Sequence, residues 1–185
     1  MRSAWVVLAG LIAAALLISG CSGPQTPAPV PSPATATLEQ VKAKFAGLTA
    51  DKLPPGYIKV SECVNVSEIP PPARPRFGIP ATMPETAAMG FHYAKPDLFD
   101  DKIDPMNPED LLLLDGDGDG KVEVVGVEYE ADMNATSPKV FGQEMVLLPE
   151  GHPGMNFPHR VLHVWFVSNP AGTYSDWNPS LKCPA

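Results

Sequence analysis

Apolar residues along the chain run unbroken or alternate with polar ones in several short segments, and this pattern predicts a β-sheet. The strongest strand is predicted at residues 160–168, where apolar side chains occupy both faces. Residues 111–114 and 121–130 flank a turn rich in Gly and Asp and are predicted to form a hairpin. Two adjacent valines before Gly126 shift the apolar phase, which indicates a β-bulge or a strand buried on both faces. Weaker strand predictions cover residues 57–60, 63–66, 89–93 and 141–148.

A short helix is predicted before these strands. Thr37 and Gln40 form a capping-box pattern, and Val41 and Phe45 follow at helical spacing. A cluster of prolines is predicted to exclude regular structure between about residues 69 and 80. The fold class predicted is α+β: a mainly antiparallel β-sheet domain with a short N-terminal helix and many Pro-rich loops.

The N-terminal residues have the pattern of a bacterial lipoprotein signal. An apolar run from Ala4 ends in Ile18-Ser19-Gly20-Cys21, where small residues admit a peptidase and the cysteine thiol receives the lipid. The run is about 16 residues, shorter than the roughly 20 that span a bilayer. A transmembrane anchor and simple secretion without lipid are the alternatives.

The lipoprotein hypothesis divides the chain into three parts. Residues 1–20 are the predicted signal peptide, residues 21–37 the lipidated (palmitate-bearing) Cys21 with a Pro-rich linker, and residues 38–185 a single globular domain. The expected location is the extracytoplasmic side of a bacterial cell membrane, where the lipid anchor makes the membrane a partner. With 185 residues and a net charge of −8, the chain has no basic patch for nucleic acid. A protein or small-molecule partner stays undetermined.

Three cysteines are present, and the lipid uses one of them. Cys63 and Cys183 then form an even pair in an exported protein, which predicts a disulfide. Two free thiols or thiolate metal ligands are the alternative.

Three titratable residues lie within or at the edge of predicted strands, among large apolar neighbours: His92, Glu128 and His163. Burying such groups without partners costs several kcal/mol, so they tend to pair with each other, with a metal or with the backbone. Two imidazoles and a carboxylate suit Zn²⁺ or another divalent metal, with an open coordination position. Alternatives are a polar site without metal, or separate backbone-bonded histidines with Glu128 facing solvent.

Short motifs are spread over about residues 45–183, among them Met89-Gly90-Phe91-His92-Tyr93, Gly126-Val127-Glu128-Tyr129, Leu162-His163-Val164-Trp165 and Trp177-Asn178-Pro179. Together they resemble an uncharacterised family of bacterial exported proteins and lipoproteins, which has no established activity. The family's pattern keeps one histidine, one glutamate and one histidine at the positions of His92, Glu128 and His163. The resemblance therefore implies that these three residues share a site.

An acidic turn separates the two strands of the predicted hairpin. Asp115, Asp117 and Asp119 occupy the first, third and fifth positions of a calcium-loop pattern, and Glu123 occupies the ninth. The twelfth position is Gly126 rather than glutamate, so a complete EF-hand is not expected. Either a calcium-binding hairpin loop or a flexible acidic turn fits this pattern.

A Gly/Pro loop carries His152, Met155 and His159, whose imidazole and thioether groups are typical copper ligands. Solvated loop histidines are the alternative. Neither a Gly-x-Ser-x-Gly elbow nor a His-Glu-x-x-His motif occurs in the chain.

The leading functional hypothesis is a membrane-anchored binding module with a divalent-metal site. A metal-dependent enzyme using the same His/Glu/His site is one alternative, and a structural envelope lipoprotein without ligand is the other.

Overall fold

The computed structural model describes residues 36–135, 138–152 and 155–184, all of which belong to one compact unit. The predicted signal peptide, Cys21 and all but the last residues of the predicted linker lie outside these ranges. Among the residues described, no helix has both the length and the apolar character needed to cross a membrane.

One α-helix precedes the sheet, as predicted. Helix α1 spans Leu38–Phe45, and its N-terminus is closed by a capping box: the Gln40 backbone N–H donates to Thr37 Oγ1 at 3.3 Å, and the Thr37 N–H donates to Gln40 Oε1 at 2.8 Å. Val41 and Phe45 are buried on its inner face.

Within the described ranges, nine strands follow the helix. They are β1 (Ile58–Lys59), β2 (Val64–Asn65), β3 (Ala88–Ala94), β4 (Asp110–Leu114), β5 (Glu123–Asp132), β6 (Lys139–Val140), β7 (Gln143–Glu144), β8 (Val146–Leu148) and β9 (His159–Trp165). The main sheet is antiparallel, in the order β1-β3-β4-β5-β9-β8, and β2 also pairs with β3. Strands β6 and β7 form a separate pair. This arrangement confirms the α+β class.

A β-bulge interrupts the pairing of β4 with β5. Leu112 pairs with Gly126 but Leu113 pairs with Val124, so Val125 is the extra residue. The bulge explains the shift of apolar phase in the sequence, and it sets which side chains of β5 share a face. After the bulge, Glu128 and Glu130 lie on the same face of the sheet. The residues that pair with them on β4 and β9 lie on that face too.

The two faces of the sheet differ in character. One face packs on α1 through a continuous apolar core that includes Leu111, Leu113, Val127, Tyr129 and Val164. The opposite face is apolar at one end, where Leu112, Leu114 and Trp165 pack together. At its other end the same face is polar, because Asp110, Glu128 and His163 lie in one row across β4, β5 and β9.

The Pro-rich segment corrects one prediction: Pro71–Phe77 forms a 3₁₀ helix rather than irregular loop. Proline lacks an N–H but fits the first turn of a helix, where no donor is needed. The remaining donors find acceptors, as the Ala73 N–H bonds to the Pro70 carbonyl and the Ile79 N–H to the Arg74 carbonyl.

The single strand predicted at residues 141–148 is also wrong. Phe141 and Gly142 have φ angles of 50° and 78°, which reverse the chain between β6 and β7. Only Val146–Leu148, strand β8, joins the main sheet. A two-residue type I′ hairpin turn needs positive φ at both central residues, and a Phe-Gly pair inside an apolar run does not show that need in the sequence.

The predicted disulfide between Cys63 and Cys183 is present, with the two Cα atoms 5.7 Å apart and the cysteines separated by 120 positions in the sequence. It fastens the C-terminal segment next to β2, where both cysteines contact the apolar end of the sheet.

Replacing both cysteines by serine is expected to lower the free energy of unfolding by about 4–5 kcal/mol, because the cross-link no longer restricts a long loop in the unfolded chain. Urea unfolding followed by tryptophan fluorescence measures this change. Wild-type protein reduced before unfolding serves as the control and should behave as the double variant does. Equal unfolding midpoints for oxidised wild type and double variant would contradict the expectation.

Candidate metal centre

The structure brings together the three residues proposed as a shared site. His92 comes from β3, Glu128 from β5 and His163 from β9, and one ligand atom from each lies within 4.8 Å of the other two. His92 Nε2 lies 3.4 Å from Glu128 Oε2, and His163 Nε2 lies 3.4 Å from Glu128 Oε1. Both imidazoles therefore face the same carboxylate.

The sheet register accounts for this meeting. Glu128 pairs directly with His163 across β5 and β9, and such a pair brings Cβ atoms to about 4.5–5.5 Å. His92 pairs with Leu112 on β4. Asp110 lies two residues before Leu112, on the same face, and pairs with Glu128 on β5. The histidine therefore reaches Glu128 diagonally across one strand.

Burial leaves these ligand atoms without hydrogen bonds. His92, Glu128 and His163 are 3%, 0% and 1% exposed. Both Glu128 oxygens and the two Nε2 atoms have no hydrogen-bond partner. Their separations are too long for a good N–H···O bond. Ligand atoms about 2.0–2.2 Å from a tetrahedral zinc ion lie about 3.3–3.6 Å apart, which matches the separations observed.

Outward hydrogen bonds orient the imidazole rings. His163 Nδ1 lies 3.2 Å from Asp176 Oδ1, and His159 Nδ1 lies 2.7 Å from the Phe157 carbonyl oxygen. A carbonyl or carboxylate oxygen only accepts, so these Nδ1 atoms carry the proton and the Nε2 lone pairs face inward. His92 Nδ1 contacts Ser61 Oγ at 3.1 Å, on the side of its ring away from Glu128. This is the outer-shell support typical of metal-ligating histidines.

A second group of buried polar side chains lies beside the first. Ligand atoms of Glu130, His152 and His159 lie within 4.8 Å of one another, and these residues are 0%, 6% and 0% exposed. Oxygens of Asp110, Glu128 and Glu130 also lie within 4.8 Å of one another and connect the two groups. All four histidines of the chain are thus in one buried cluster.

Burial and the nearby carboxylates shift the acid–base properties of the cluster. Burial raises the pKa of Glu130 to about 8 and that of Glu109 to about 9, and it holds the pKa values of Glu128 and Asp110 well above their ordinary range. Burial also lowers the pKa of His92, where the charges of neighbouring histidines act in the same direction. Among the residues described, no lysine or arginine forms an ion pair with these carboxyls. Uncompensated negative charge is therefore disfavoured unless a cation joins the cluster.

An open pocket of about 300 Å³ reaches the second group. Glu109 and Glu130 form part of its wall, and apolar side chains form most of the rest, including Phe99, Met155 and Phe157. The pocket thus ends at a cluster whose Glu130 side chain has no exposed surface.

The acidic turn between β4 and β5 has its side chains engaged in the turn itself. Asp115 accepts from the Gly118 and Gly120 N–H groups at 2.7 and 3.0 Å, and Asp117 accepts from the Asp119 N–H at 3.1 Å. Carboxylate oxygens of the three aspartates lie within 4.8 Å of one another, but Glu123 is not part of that group. Calcium binding stays a prediction, and Glu123, the ligand expected at the ninth position, lies outside the group of three aspartates.

The proposed copper set is partly brought together. The rings of His152 and His159 have centroids 4.9 Å apart, but they face Glu130, and Met155 lines the adjacent pocket. The alternative of solvated loop histidines is wrong, since both rings are buried. Copper itself stays a prediction.

Sequence reasoning missed several members of the cluster: Asp110, Glu130, Glu109, Asp176 and Ser61. Strand periodicity alone could have placed two residues, Glu130 and His159, on the face of the predicted site. Glu128 and Glu130 are two residues apart on one strand, and His159 and His163 are four apart on another, so each pair shares a face. His159 was placed in the loop because the strand was predicted to begin one residue later.

Asp176→Asn is expected to weaken metal binding about 10–100-fold, because the carboxylate that fixes the Nδ1 proton of His163 is lost. Its side chain is 28% exposed, so the fold should be unchanged. Competition with a chromogenic zinc chelator measures the affinity. The matched control is Asp101→Asn, which removes the same charge from an exposed side chain that is not one of the candidate ligands. Equal affinities in the two variants would show that the Asp176 contact does not support a metal ligand.

The chain matches no protein-family model, no curated protein and no solved structure. The family resemblance read from the motifs therefore stays a prediction.

Proposed function

We propose that this chain is a divalent-metal-binding module, held on the outer side of a bacterial cell membrane by a lipid on Cys21. Support for the metal comes from the buried meeting of His92, Glu128 and His163. Support for the anchor comes from the Ile18-Ser19-Gly20-Cys21 pattern and the Pro-rich linker that follows it.

One observation carries the metal assignment: four inward-facing ligand atoms in a buried site have no hydrogen-bond partner. These atoms are His92 Nε2, His163 Nε2 and the two oxygens of Glu128. Each buried polar group left unsatisfied costs about 1–3 kcal/mol, and a charged one costs more. A divalent cation satisfies all of these atoms at once, and two imidazoles with one carboxylate are a zinc-type donor set.

Metal analysis of the full chain, purified in mild detergent, tests the proposal. Protein stripped with a chelator and dialysed against Zn²⁺ is expected to retain the ion stoichiometrically by mass spectrometry of the metal. His92→Ala and His163→Ala should each reduce the zinc retained, whereas Leu114→Val, a small change in the apolar end of the same face, should not. Unchanged zinc content in both histidine variants would contradict the site. Zinc-free wild type after dialysis would instead favour a structural envelope protein without ligand.

The anchor is tested separately. Cells fed an alkyne-tagged fatty acid are expected to label the wild-type chain, and Cys21→Ser should abolish the label. Label that persists in the variant, or none in the wild type, would remove the lipid from the proposal.

A metal-dependent enzyme is the second candidate, favoured by the open pocket that ends at Glu130. An enzyme needs a coordination position that an outside molecule can reach. Protein loaded with Co²⁺ should then change its visible spectrum when a small hydroxamate is added. An unchanged spectrum at saturating hydroxamate favours the binding module.

A further inference from the structure

We propose that the buried cluster holds a second divalent ion, bound by Glu130, His152 and His159 and sharing the Glu128 carboxylate with the first. The inference rests on the proposed function, since it places a second ion beside the one held by His92, Glu128 and His163. It makes the site a dinuclear centre.

Geometry gives the second ion its own ligands. Glu130 Oε1 lies 3.6 Å from His152 Nε2 and 4.0 Å from His159 Nε2. The Glu130 side chain is fully buried, and its oxygens meet no hydrogen-bond donor apart from a contact with the Asp110 carboxyl. His159 donates through Nδ1 to the Phe157 carbonyl, so its Nε2 presents a lone pair to Glu130. The second group thus repeats the arrangement of the first, two imidazoles facing one buried carboxylate.

The two groups are close enough to share a ligand. Glu128 Oε1 lies 3.4 Å from His163 Nε2 of the first group and 3.5 Å from His152 Nε2 of the second. Paired metal ions in protein sites lie about 3.5–4 Å apart, so the Glu128 carboxylate, which faces histidines of both groups, would be close enough to serve both ions. Asp110, whose oxygen lies within 4.8 Å of those of Glu128 and Glu130, supplies a further carboxylate at the junction.

Charge supports two ions rather than one. Four carboxyls are buried in and beside the cluster: Glu109, Asp110, Glu128 and Glu130. Among the described residues no Lys or Arg pairs with any of them. Asp110, Glu128 and Glu130 meet where the two groups join. When ionised they carry three negative charges, one more than a single divalent ion balances, so a second ion is needed. Buried charge that is balanced in this way avoids the penalty of an isolated carboxylate.

The pocket distinguishes the two positions. Glu130, a ligand of the second position, forms part of the pocket wall, with Phe99, Met155 and Phe157 around it. The second ion would therefore lie nearer to the pocket than the first. A molecule that binds there would combine an apolar body, which suits those walls, with an oxygen-bearing head group that meets the ion.

Zinc stoichiometry in variants of the full chain tests the second ion. Wild type stripped of metal and dialysed against Zn²⁺ is expected to hold two ions per chain. Glu130→Gln, which keeps the shape of the side chain, and His159→Ala should each hold one. The exposed Glu144→Gln is the matched control and should hold two. Because the wild-type measurement is itself decisive, the test does not depend on the folding of a buried variant.

The results separate the two proposals. One ion per chain in the wild type, unchanged in Glu130→Gln and lost in His163→Ala, would overturn the second ion and leave the proposed function standing. Zinc that His163→Ala does not reduce would overturn the proposed function itself. Two ions in wild type and one in Glu130→Gln, with Glu144→Gln at two, would support the dinuclear centre.

Discussion

Replacing Glu128 by glutamine is expected to lower metal affinity at the His92–His163 position by more than about 100-fold, above the loss typical of an outer-shell residue. The substitution removes the carboxylate charge that both imidazoles face, and it introduces an amide group of nearly the same shape. Calorimetric titration of metal-free protein with Zn²⁺ measures the change. Glu144→Gln, on the exposed strand β7, is the control and should bind as wild type does.

The same variant is expected to make the metal-free protein more stable at neutral pH. Burial holds the pKa of Glu128 well above its ordinary value of 4.5, so ionising this carboxyl costs the folded protein more than it costs the unfolded chain. A neutral glutamine removes that disadvantage. Thermal unfolding in excess chelator checks this result. A variant that loses both metal affinity and metal-free stability would point to a packing role for Glu128 instead.

Metal-free protein is expected to lose several kcal/mol of stability as pH rises from about 6.5 to about 8–9. In the unfolded chain glutamates ionise near their ordinary value of 4.5, but in the folded chain Glu130 and Glu109 keep their protons to about pH 8 and 9. The folded state therefore binds more protons in this window, and each such group lowers stability by about 1.4 kcal/mol per pH unit.

Histidines reverse the trend on the acid side. The pKa values of His92 and His159 are lowered by burial from the ordinary 6.5, so below that pH the unfolded chain binds protons that the folded chain excludes. Stability from this source falls as pH decreases. Below about pH 6.5 the histidines and the carboxyls affect the stability of the metal-free protein in opposite directions. Above that pH only the carboxyls titrate, so stability should fall steadily as pH rises.

Bound metal is expected to oppose the decline above pH 6.5, because ligands must lose their protons to bind and metal affinity rises with pH. Urea unfolding across the pH range, with chelator and with excess Zn²⁺, compares the two forms. The gap between the two curves should widen from pH 6.5 to 8. Parallel curves would mean that zinc does not bind through these buried groups.

Strand periodicity was enough to place the main features of the sheet. The hairpin of β4 and β5, the bulge at Val125 and the long strand β9 all follow from which positions are apolar. The strand positions of His92, Glu128 and His163 also followed from the sequence. Their proximity did not, because the residues separating them along the chain reveal nothing about cross-strand register. The cost of burying these groups and the family resemblance both pointed to a shared site, but neither gave the register that brings them together.

The carboxyls in the other half of the cluster escaped prediction for an energetic reason, although His152 and His159 were among the candidate ligands. Glu130 and Asp110 are carboxyls, and a charged residue at a strand end is normally assigned to solvent. Here both are buried, at 0% and 1% exposure. A sequence that places unpaired acids inside a sheet contradicts the usual hydrophobic pattern, and such local contradictions are expected where a protein binds something.

Both outermost strands of the main sheet are very short, two residues in β1 and three in β8. An exposed strand edge can recruit a strand of another molecule, and proteins limit this by keeping edge strands brief or charged. Lys59 in β1 adds a charge at one border. Neighbouring copies crowded together on a surface would find little backbone to pair with, which protects the sheet from intermolecular aggregation.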